Sequence, residues 1–564
     1  MKKVINFLCY PIQKEFSHFC TFLFLILFSN ILFFKYSIEN LYFKFISDTP
    51  ILTISLAVCL SYTMVFVLSF IRYIKCTFLS KIFLIANYIF LLSLTLFESV
   101  SILIFEKPIC ADIFETFFTT NSKETIEFIN VYIDQLPIPI VVFLAISLTA
   151  LILRLLIQKI LQKHQIPYYV AIILIIMTIP ILVNSTDNVI LYLRMGVVKK
   201  YLKRNCYKSI NISRLAGAFH ALKELADETH DFELRSRPEK VQYISNSIQC
   251  SNIVVIIGES FSKYHSSLYT YSKETNPKLS KLKHHNLYVY NDVISTYDLT
   301  TAVLKKIYGI NKNNTIPPFP SILRGAGYKT ILLDNQQGFM YQKRFQPIWS
   351  NMYDTRNSNI FKYDKDLIDM IDFKESNPSL YVIELEGQHY TYAQRYPEDF
   401  SHFKPKDYSN VSNEQQAEIL AHYDNATLYN DSVIYSIIQK FSDLEVVVIY
   451  FSDHGEEIYD WRNFMGHSVL SGESKAIKYL IEIPFMIWFS DTYKQNHPDK
   501  AEQIKNAVNR PYITSDLTHL VMDISGVKAK GYDPTRSVIN EQFESSRDRI
   551  ILDYINYDQW KNKH

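Results

Sequence analysis

Cysteine is scarce where an exported domain would use it. Of the seven cysteines, Cys9, Cys20, Cys59, Cys76 and Cys110 fall in or beside the most apolar part of the chain, leaving only Cys206 and Cys250 beyond it. A disulfide framework is thereby excluded, and a single Cys206–Cys250 bridge is all that stays open. Charge of one sign is missing too. The 58 Lys and Arg against 56 Asp and Glu leave a formal net charge of +2, without the basic excess of a nucleic-acid-binding chain. Glycine and proline are sparse, at 13 and 20 in 564 residues against 40 Tyr and 38 Phe. That balance excludes a collagen-like or low-complexity chain and points to packed, aromatic-rich structure.

Long hydrophobic runs, in contrast, are abundant. Five precede residue 185, at roughly 17–36, 50–71, 80–105, 138–157 and 167–184, each near the ~20 residues that cross a bilayer as a helix. Runs such as PILTISLAVCLSYTMVFVLSFI have no polar face, which argues against buried helices of a soluble fold. No small-residue cleavage site stands out after the first run, so a removed signal peptide is not expected. The sequence therefore predicts a five-helix transmembrane anchor over residues 1–184. Positive charge near span ends is retained in the cytoplasm. Lys2, Lys3 and Lys14 precede the first run, Arg72, Lys75 and Lys81 separate the second from the third, and Arg154, Lys159 and Lys163 separate the fourth from the fifth. The alternate connections carry only Lys35 and Lys44, then Lys107 and Lys123 in a loop dominated by acidic residues. The expected N-terminus is cytoplasmic, and everything after about residue 185 is expected on the outer side of the membrane, which in a Gram-negative cell would be the periplasm.

Residues 185–247 carry Arg194, Lys199, Lys200, Lys203, Arg204 and Lys208 among Leu, Val, Ile and Tyr, a pattern that reads as amphipathic connector helices or an ordinary linker helix. From 248 to 564 short apolar runs alternate with helical segments: IVVII, KTILL, LYVIEL, EVVVIYF and PFMIWF. They are too short for spans and rich in β-branched and aromatic residues, as buried strands of a mostly parallel α/β sheet are. Ligands of such sheets gather beyond the carboxyl ends of the strands. There, IVVII runs into Gly258-Glu259-Ser260, and VVVIYF into Ser452-Asp453-His454-Gly455-Glu456-Glu457. Glu259, Asp453 and His454 make a ligand set suited to Zn²⁺ with one position left open.

The segments VVIIGESFSKYHSSLYTYSKETNPKL, NDVISTYDLTTAVLKK, GQHYTYAQRYP, FSDHGEE and FMGHS, taken in order with the anchor, resemble the phosphoethanolamine transferases of Gram-negative envelopes, a branch of the alkaline phosphatase and sulfatase superfamily. The resemblance implies a sulfatase-like catalytic domain and a threonine nucleophile at a helix start that also touches the zinc. Here that is Thr300, with Thr301 as its rival. It also implies that phosphoethanolamine passes from phosphatidylethanolamine, by way of the threonine, to lipopolysaccharide core, lipid A or another envelope glycan. Such an enzyme sits in the inner membrane. His389 and His467 are placed beside the phosphate, where they bind it, protonate the leaving oxygen or hold a second zinc. Where the family commonly has Ser, Gln388 stands in this chain. The thin cysteine complement of the catalytic domain tilts the expected acceptor away from lipid A towards a core sugar or other glycan.

Weaker signals are His265 and Lys263, Asp334 and Asn335, the intramembrane Glu98, and Glu124 in the acidic loop, which the resemblance sets near the donor lipid. The competing readings are a phosphoglycerol transferase resembling lipoteichoic acid synthases, and an inactive membrane scaffold or sensor. The sulfatase modification motif, Cys or Ser followed by x-Pro-x-Arg, is absent.

Overall fold

The computed structural model describes residues 2–39, 50–104, 109, 133, 136–162, 166–178, 215, 229–283, 285–310, 315–336, 346–357, 360–372, 378–409, 411–467 and 475–564. Most of the connector, with Cys206, and the acidic loop, with Glu124, lie outside them. The chain divides into two compact units, one within residues 1–224 and the other containing Leu225–His564.

In the first unit the apolar runs form helices α1 (Lys2–Glu39), α2 (Pro50–Tyr73), α3 (Thr77–Ile104), α4 (Pro137–Leu161) and α5 (Tyr168–Ile176). Pro11 lies inside α1, and α1 is kinked at Glu15, whose backbone angles are non-helical (φ −114°, ψ 25°). Phe19 and Phe22 of α1, Ala57 and Val65 of α2, Leu91 of α3 and Ile146 and Ala150 of α4 share one core. Among the described residues three stretches are long and apolar enough to cross a membrane: Ile54–Tyr73, Thr77–Leu103 and Pro137–Leu161. The outer face of α4 exposes Val141, Leu144, Leu148 and Leu155, a stripe that suits lipid better than water. Glu98 is fully buried on α3, and one carboxylate oxygen accepts from the Ile109 amide at 3.4 Å.

The second unit is built on a seven-stranded sheet. Its strands and principal helices, in chain order, are β1 (Asn252–Gly258), β2 (Leu287–Val289), α6 (Thr300–Tyr308), α7 (Phe319–Gly325), β3 (Lys329–Asp334), β4 (Thr355–Arg356), β5 (Ser379–Glu384), α8 (Glu414–Phe441), β6 (Val446–Ser452), β7 (Phe485–Phe489) and α9 (Leu517–Ser525). The spatial order is β2-β7-β6-β1-β5-β3-β4. All five runs expected to be strands are strands, but the sheet is mixed. β1 pairs in parallel with β5 and β6, and β3 with β4 and β5, whereas β7 is antiparallel to both β6 and β2. The chain leaves β6, turns back through the helix Ile477–Ile481 and enters β7 beside the strand it has just left, which reverses that strand's direction.

Alternation along the central strands fills two cores. Ile253, Val255 and Ile257 face α6, α7 and α9, while Val254 and Ile256 face α8. Both faces are thus buried, which is why these strands read as unbroken apolar runs. Cys250 is a buried free thiol, and Cys206, the other half of the bridge left open by the sequence, lies outside the described residues. The strand Tyr243–Asn246 pairs with Val527–Ala529, so the chain just before β1 packs as part of this unit.

Candidate active site

Register brings the site together. Gly258, the last residue of β1, lies opposite Ser452, the last of β6, so Glu259 and Asp453 emerge side by side from parallel strands. The Asp453 amide donates to Gly258 O at 2.9 Å, extending the ladder by one bond. Ser260 then takes a left-handed backbone conformation (φ 55°), uncommon for a residue with a side chain, and its hydroxyl donates to Glu259 Oε1 at 2.7 Å. Leu299 occupies the N-cap position of α6 in an extended conformation, leaving Thr300 as the first helical residue. The Thr300 hydroxyl therefore does not cap its own helix. It donates to Glu259 Oε2 at 2.9 Å and lies 3.3 Å from His454 Nε2.

Three buried side chains converge around that hydroxyl. His454 Nε2 stands 3.3 Å from Glu259 Oε1 and 3.4 Å from Asp453 Oδ2. His454 Nδ1 faces the Gly455 carbonyl at 2.8 Å, which fixes the proton there and leaves Nε2 as a lone-pair donor. Asp453 Oδ1 accepts from the amides of Ser260 (3.1 Å) and His454 (2.7 Å), but Oδ2 is buried with no hydrogen-bond partner. A buried carboxylate oxygen without a donor is costly, and a cation satisfies it. Tetrahedral donors each about 2.0–2.1 Å from a zinc ion stand about 3.3–3.4 Å apart. The separations here match that edge length, so the residues fit the metal.

Charge balance agrees. Burial pushes the Asp453 carboxyl up, and the neighbouring Glu259 charge adds to the rise. For His454, burial opposes protonation but the Asp453 and Glu259 charges overcome it and raise the imidazole. Burial also works to raise Glu259, yet His454 outweighs it and holds that carboxyl well below its usual range. A proton on His454 thus occupies the place that a divalent cation takes more fully.

A second potential metal-holding group adjoins the first, formed by His454, Glu456 and His467. The rings of His454 and His467 lie 4.3 Å apart, and His467 Nδ1 is 2.8 Å from Glu456 Oε2. Glu456 Oε1 accepts from the Tyr392 hydroxyl at 2.6 Å. Sequence reasoning passed over Glu456 and Tyr392. Glu456 stood in the same strand-end segment as Asp453 and His454, and Tyr392 in the quoted GQHYTYAQRYP segment, but no spacing linked the two to His467.

His389 lies on the loop after β5, half-buried, and its charge helps to hold Glu259 down. Gly387 makes this loop fit: it has φ 51°, and a Cβ there would stand 2.8 Å from Glu259 O. Gln388 is buried, donates from its amide to Glu259 O at 3.0 Å and accepts from Asn430 of α8 at 3.2 Å. Arg395 holds the outer side of the loop, donating to His389 O at 3.1 Å and Tyr390 O at 2.9 Å and pairing with Glu386. Asn335 donates to Asp364, which accepts from the amides of Glu386 and Gly387 at 2.9 Å each. Asn335 thereby supports the His389 loop at one remove. Asp334 turns to the Gln336 amide and to Glu384, and Lys263 pairs with Glu482, away from the cluster.

Residues 251–527 match the Sulfatase family model. Phosphoethanolamine transferase EptC of Escherichia coli is 32% identical over 316 residues, covering 52% of this chain and 54% of that protein. This chain accordingly spans about half the length of the curated relatives it matches. The crystal structure of the C-terminal periplasmic domain of E. coli EptC is 30% identical with a TM-score of 0.50, covering 57% of this chain and 95% of that domain. The chain belongs to the phosphoethanolamine transferase family. Another structure of the same E. coli domain, 29% identical over 56% of this chain and 96% of that one with a TM-score of 0.50, is a complex with zinc. The integral membrane lipooligosaccharide phosphoethanolamine transferase A of Neisseria meningitidis shares the fold over 85% of this chain and 90% of its own, with 16% identity and a TM-score of 0.53.

Proposed function

We propose that this protein transfers phosphoethanolamine from phosphatidylethanolamine to an acceptor in the cell envelope, lipopolysaccharide core, lipid A or another glycan, through a covalent phosphoethanolamine–Thr300 intermediate. The observation that carries this reading is the Thr300 hydroxyl, held at the first turn of α6 between Glu259 Oε2 and His454 Nε2. Glu259, Thr300, Asp453 and His454 would hold zinc, and a second ion would involve His467, grouped with His454 and Glu456, together with His389 as the family resemblance implies. When bound, zinc acts as a Lewis acid that favours the threonine alkoxide and offsets charge on the phosphoryl group.

The chain's own residues do the rest. Glu259 orients the Thr300 hydroxyl and gives its proton a first acceptor. The Thr300 Oγ–P bond forms, the P–O bond to diacylglycerol breaks, and diacylglycerol leaves as an alcohol. Free amides at the start of α6 face the phosphoryl oxygens. His467, oriented through Nδ1 by Glu456, and His389, fixed by Arg395 and Gly387, supply the proton and hydrogen bonds that this departure needs. The acceptor then attacks phosphorus from the vacated side: its O–P bond forms as the Thr300 Oγ–P bond breaks, its proton passes to the imidazole that protonated diacylglycerol, and Thr300 takes back the proton accepted by Glu259. On this reading the chain has five spans with a cytoplasmic N-terminus over residues 1–184, a connector over 185–247 and a periplasmic catalytic domain over 248–564, so that the chemistry would run at the outer face of the inner membrane, where donor lipid and envelope glycan meet.

Intact-mass analysis of the full chain after incubation with phosphatidylethanolamine vesicles and zinc tests the proposal. A phosphoethanolamine adduct in the wild type and in Thr301→Ala, lost in Thr300→Ala, is expected. An adduct that survives Thr300→Ala would overturn the assignment of the nucleophile, and no adduct in any form would overturn the donor.

A further inference from the structure

Outside the zinc cluster, one buried charge network joins three separate parts of the domain. His265 lies in a short turn, Lys263–His265, just beyond Glu259, and is 4% exposed at its side chain. Its Nδ1 is 2.9 Å from Asp424 Oδ1 on α8, and its Nε2 is 3.6 Å from Asp460 Oδ1. Asp424 is fully buried, and its other oxygen accepts from the hydroxyls of Tyr271 (2.8 Å) and Tyr408 (2.5 Å). Asp460 Oδ2 accepts from the Ile458 amide at 3.0 Å, which ties it into the hairpin made by Glu457–Ile458 and Met465–Gly466. That hairpin begins directly after Glu456 and ends directly before His467.

An imidazole that meets a carboxylate at each nitrogen is matched when both nitrogens carry protons. Burial opposes the charge on His265, but the hydrogen bonds and charges of Asp424 and Asp460 outweigh it and push the imidazole up to about 10. The Tyr423 ring stands edge-on to the imidazole at 5.2 Å, and its hydroxyl bridges the Ser262 amide and Ser260 O at 2.7 Å each. Tyr392, which donates to Glu456, packs against Tyr423 at 4.9 Å. The network therefore reaches Glu456 and His467 from two directions without touching zinc-site side chains on β1 or β6.

We propose that His265 is a positioning residue that pins the hairpin between Glu456 and His467 to α8, and so sets where His467 stands relative to His454 and the transferring phosphoryl group. This inference rests on the transferase reading given above. Three groups of measurements on the full chain test it: the saturating rate of adduct formation with phosphatidylethanolamine vesicles, the half-saturating lipid concentration, and the unfolding temperature. Asp460→Asn removes only the charge at the hairpin end. It is expected to slow adduct formation at least about 10-fold at saturation, the scale of a displaced general acid, with half-saturation and unfolding temperature unchanged. His265→Gln is expected to slow adduct formation similarly while also lowering the unfolding temperature, because it leaves the buried Asp424 without its cation, and His265→Lys, which keeps a cation between the two aspartates, to restore most of the rate. The decisive comparison is made in a His467→Ala background, where Asp460→Asn should cost nothing more, because both changes act through one group. An Asp460→Asn effect undiminished in that background, or a wild-type rate in both single variants, would overturn the inference. No adduct from the wild-type chain would instead overturn the transferase reading on which it stands.

Discussion

Glu384, the last residue of β5, is 3% exposed and lies in register with Asp334, the last residue of β3. Its Oε1 accepts from the hydroxyl of Tyr308, at the far end of the helix that Thr300 begins, at 3.1 Å. Burial, then the charges of Asp334 and Asp453, push the carboxyl well above 4.5, while the Tyr308 hydrogen bond only partly offsets the rise. The native state therefore keeps a proton that the unfolded chain releases above about pH 4.5. Since the unfolded chain binds fewer protons, this group makes stability fall as pH rises, by about 1.4 kcal/mol per pH unit up to its folded pKa. Glu384→Gln keeps the shape and a hydrogen-bond acceptor for Tyr308 without the titration. Its stability relative to wild type should thus improve steadily as pH rises from 5 towards 7. All four tryptophans, Trp349, Trp461, Trp488 and Trp560, lie in the second unit, so denaturant unfolding of the full chain in detergent, followed by tryptophan fluorescence with a chelator present, reads this domain alone. A wild-type-minus-variant difference that stays flat over those two pH units would refute the argument, because it would mean that Glu384 is ionised and stably paired in the folded state.

His265 gives the complementary profile, because its folded pKa of about 10 exceeds the reference 6.5. Its contribution to stability is complete below about pH 6.5 and lost as pH rises through about 10, so wild type should lose about 1.4 kcal/mol per pH unit relative to His265→Gln within that window by the same fluorescence assay. Gly387→Ala puts a Cβ 2.8 Å from Glu259 O at φ 51° and is expected to cost about 1–3 kcal/mol and to slow adduct formation by displacing His389, as read by unfolding and intact mass together. A wild-type rate in that variant would mean that the His389 loop can move without consequence.

Much of the candidate site was legible because its polar residues sit where unbroken apolar runs stop. Glu259, Asp453 and His454 follow strands buried on both faces, and period and composition alone locate such strands. The direction of β7 was not legible. PFMIWF has the same composition as its neighbours, and strand polarity depends on how the chain returns from β6 rather than on the strand's own residues. The short edge strands Leu287–Val289 and Thr355–Arg356 also escaped notice, being two or three residues long. Thr300 could be separated from Thr301 only through a family pattern, since which hydroxyl faces Glu259 is decided by where α6 begins, a matter of one residue. Glu456 and Tyr392 were missed because they act on His467 across 11 and 75 positions of sequence, respectively, and no local pattern encodes such pairs. The supports of His265 were hidden for the same reason: Asp424 reads as one more polar residue of a long helix.

The pairing of Gly258 with Ser452 has a consequence for how this domain comes into being. The adjacent strands that end there are separated by almost two hundred residues of chain, so a very long loop must close before either half of the cluster meets the other. A ribosome delivers Glu259 and Thr300 well before Asp453 and His454. During that interval the nascent chain offers one carboxylate and one hydroxyl, a poor trap for zinc and no activated nucleophile. The cluster is therefore complete only after a single late event, the docking of β6 against β1.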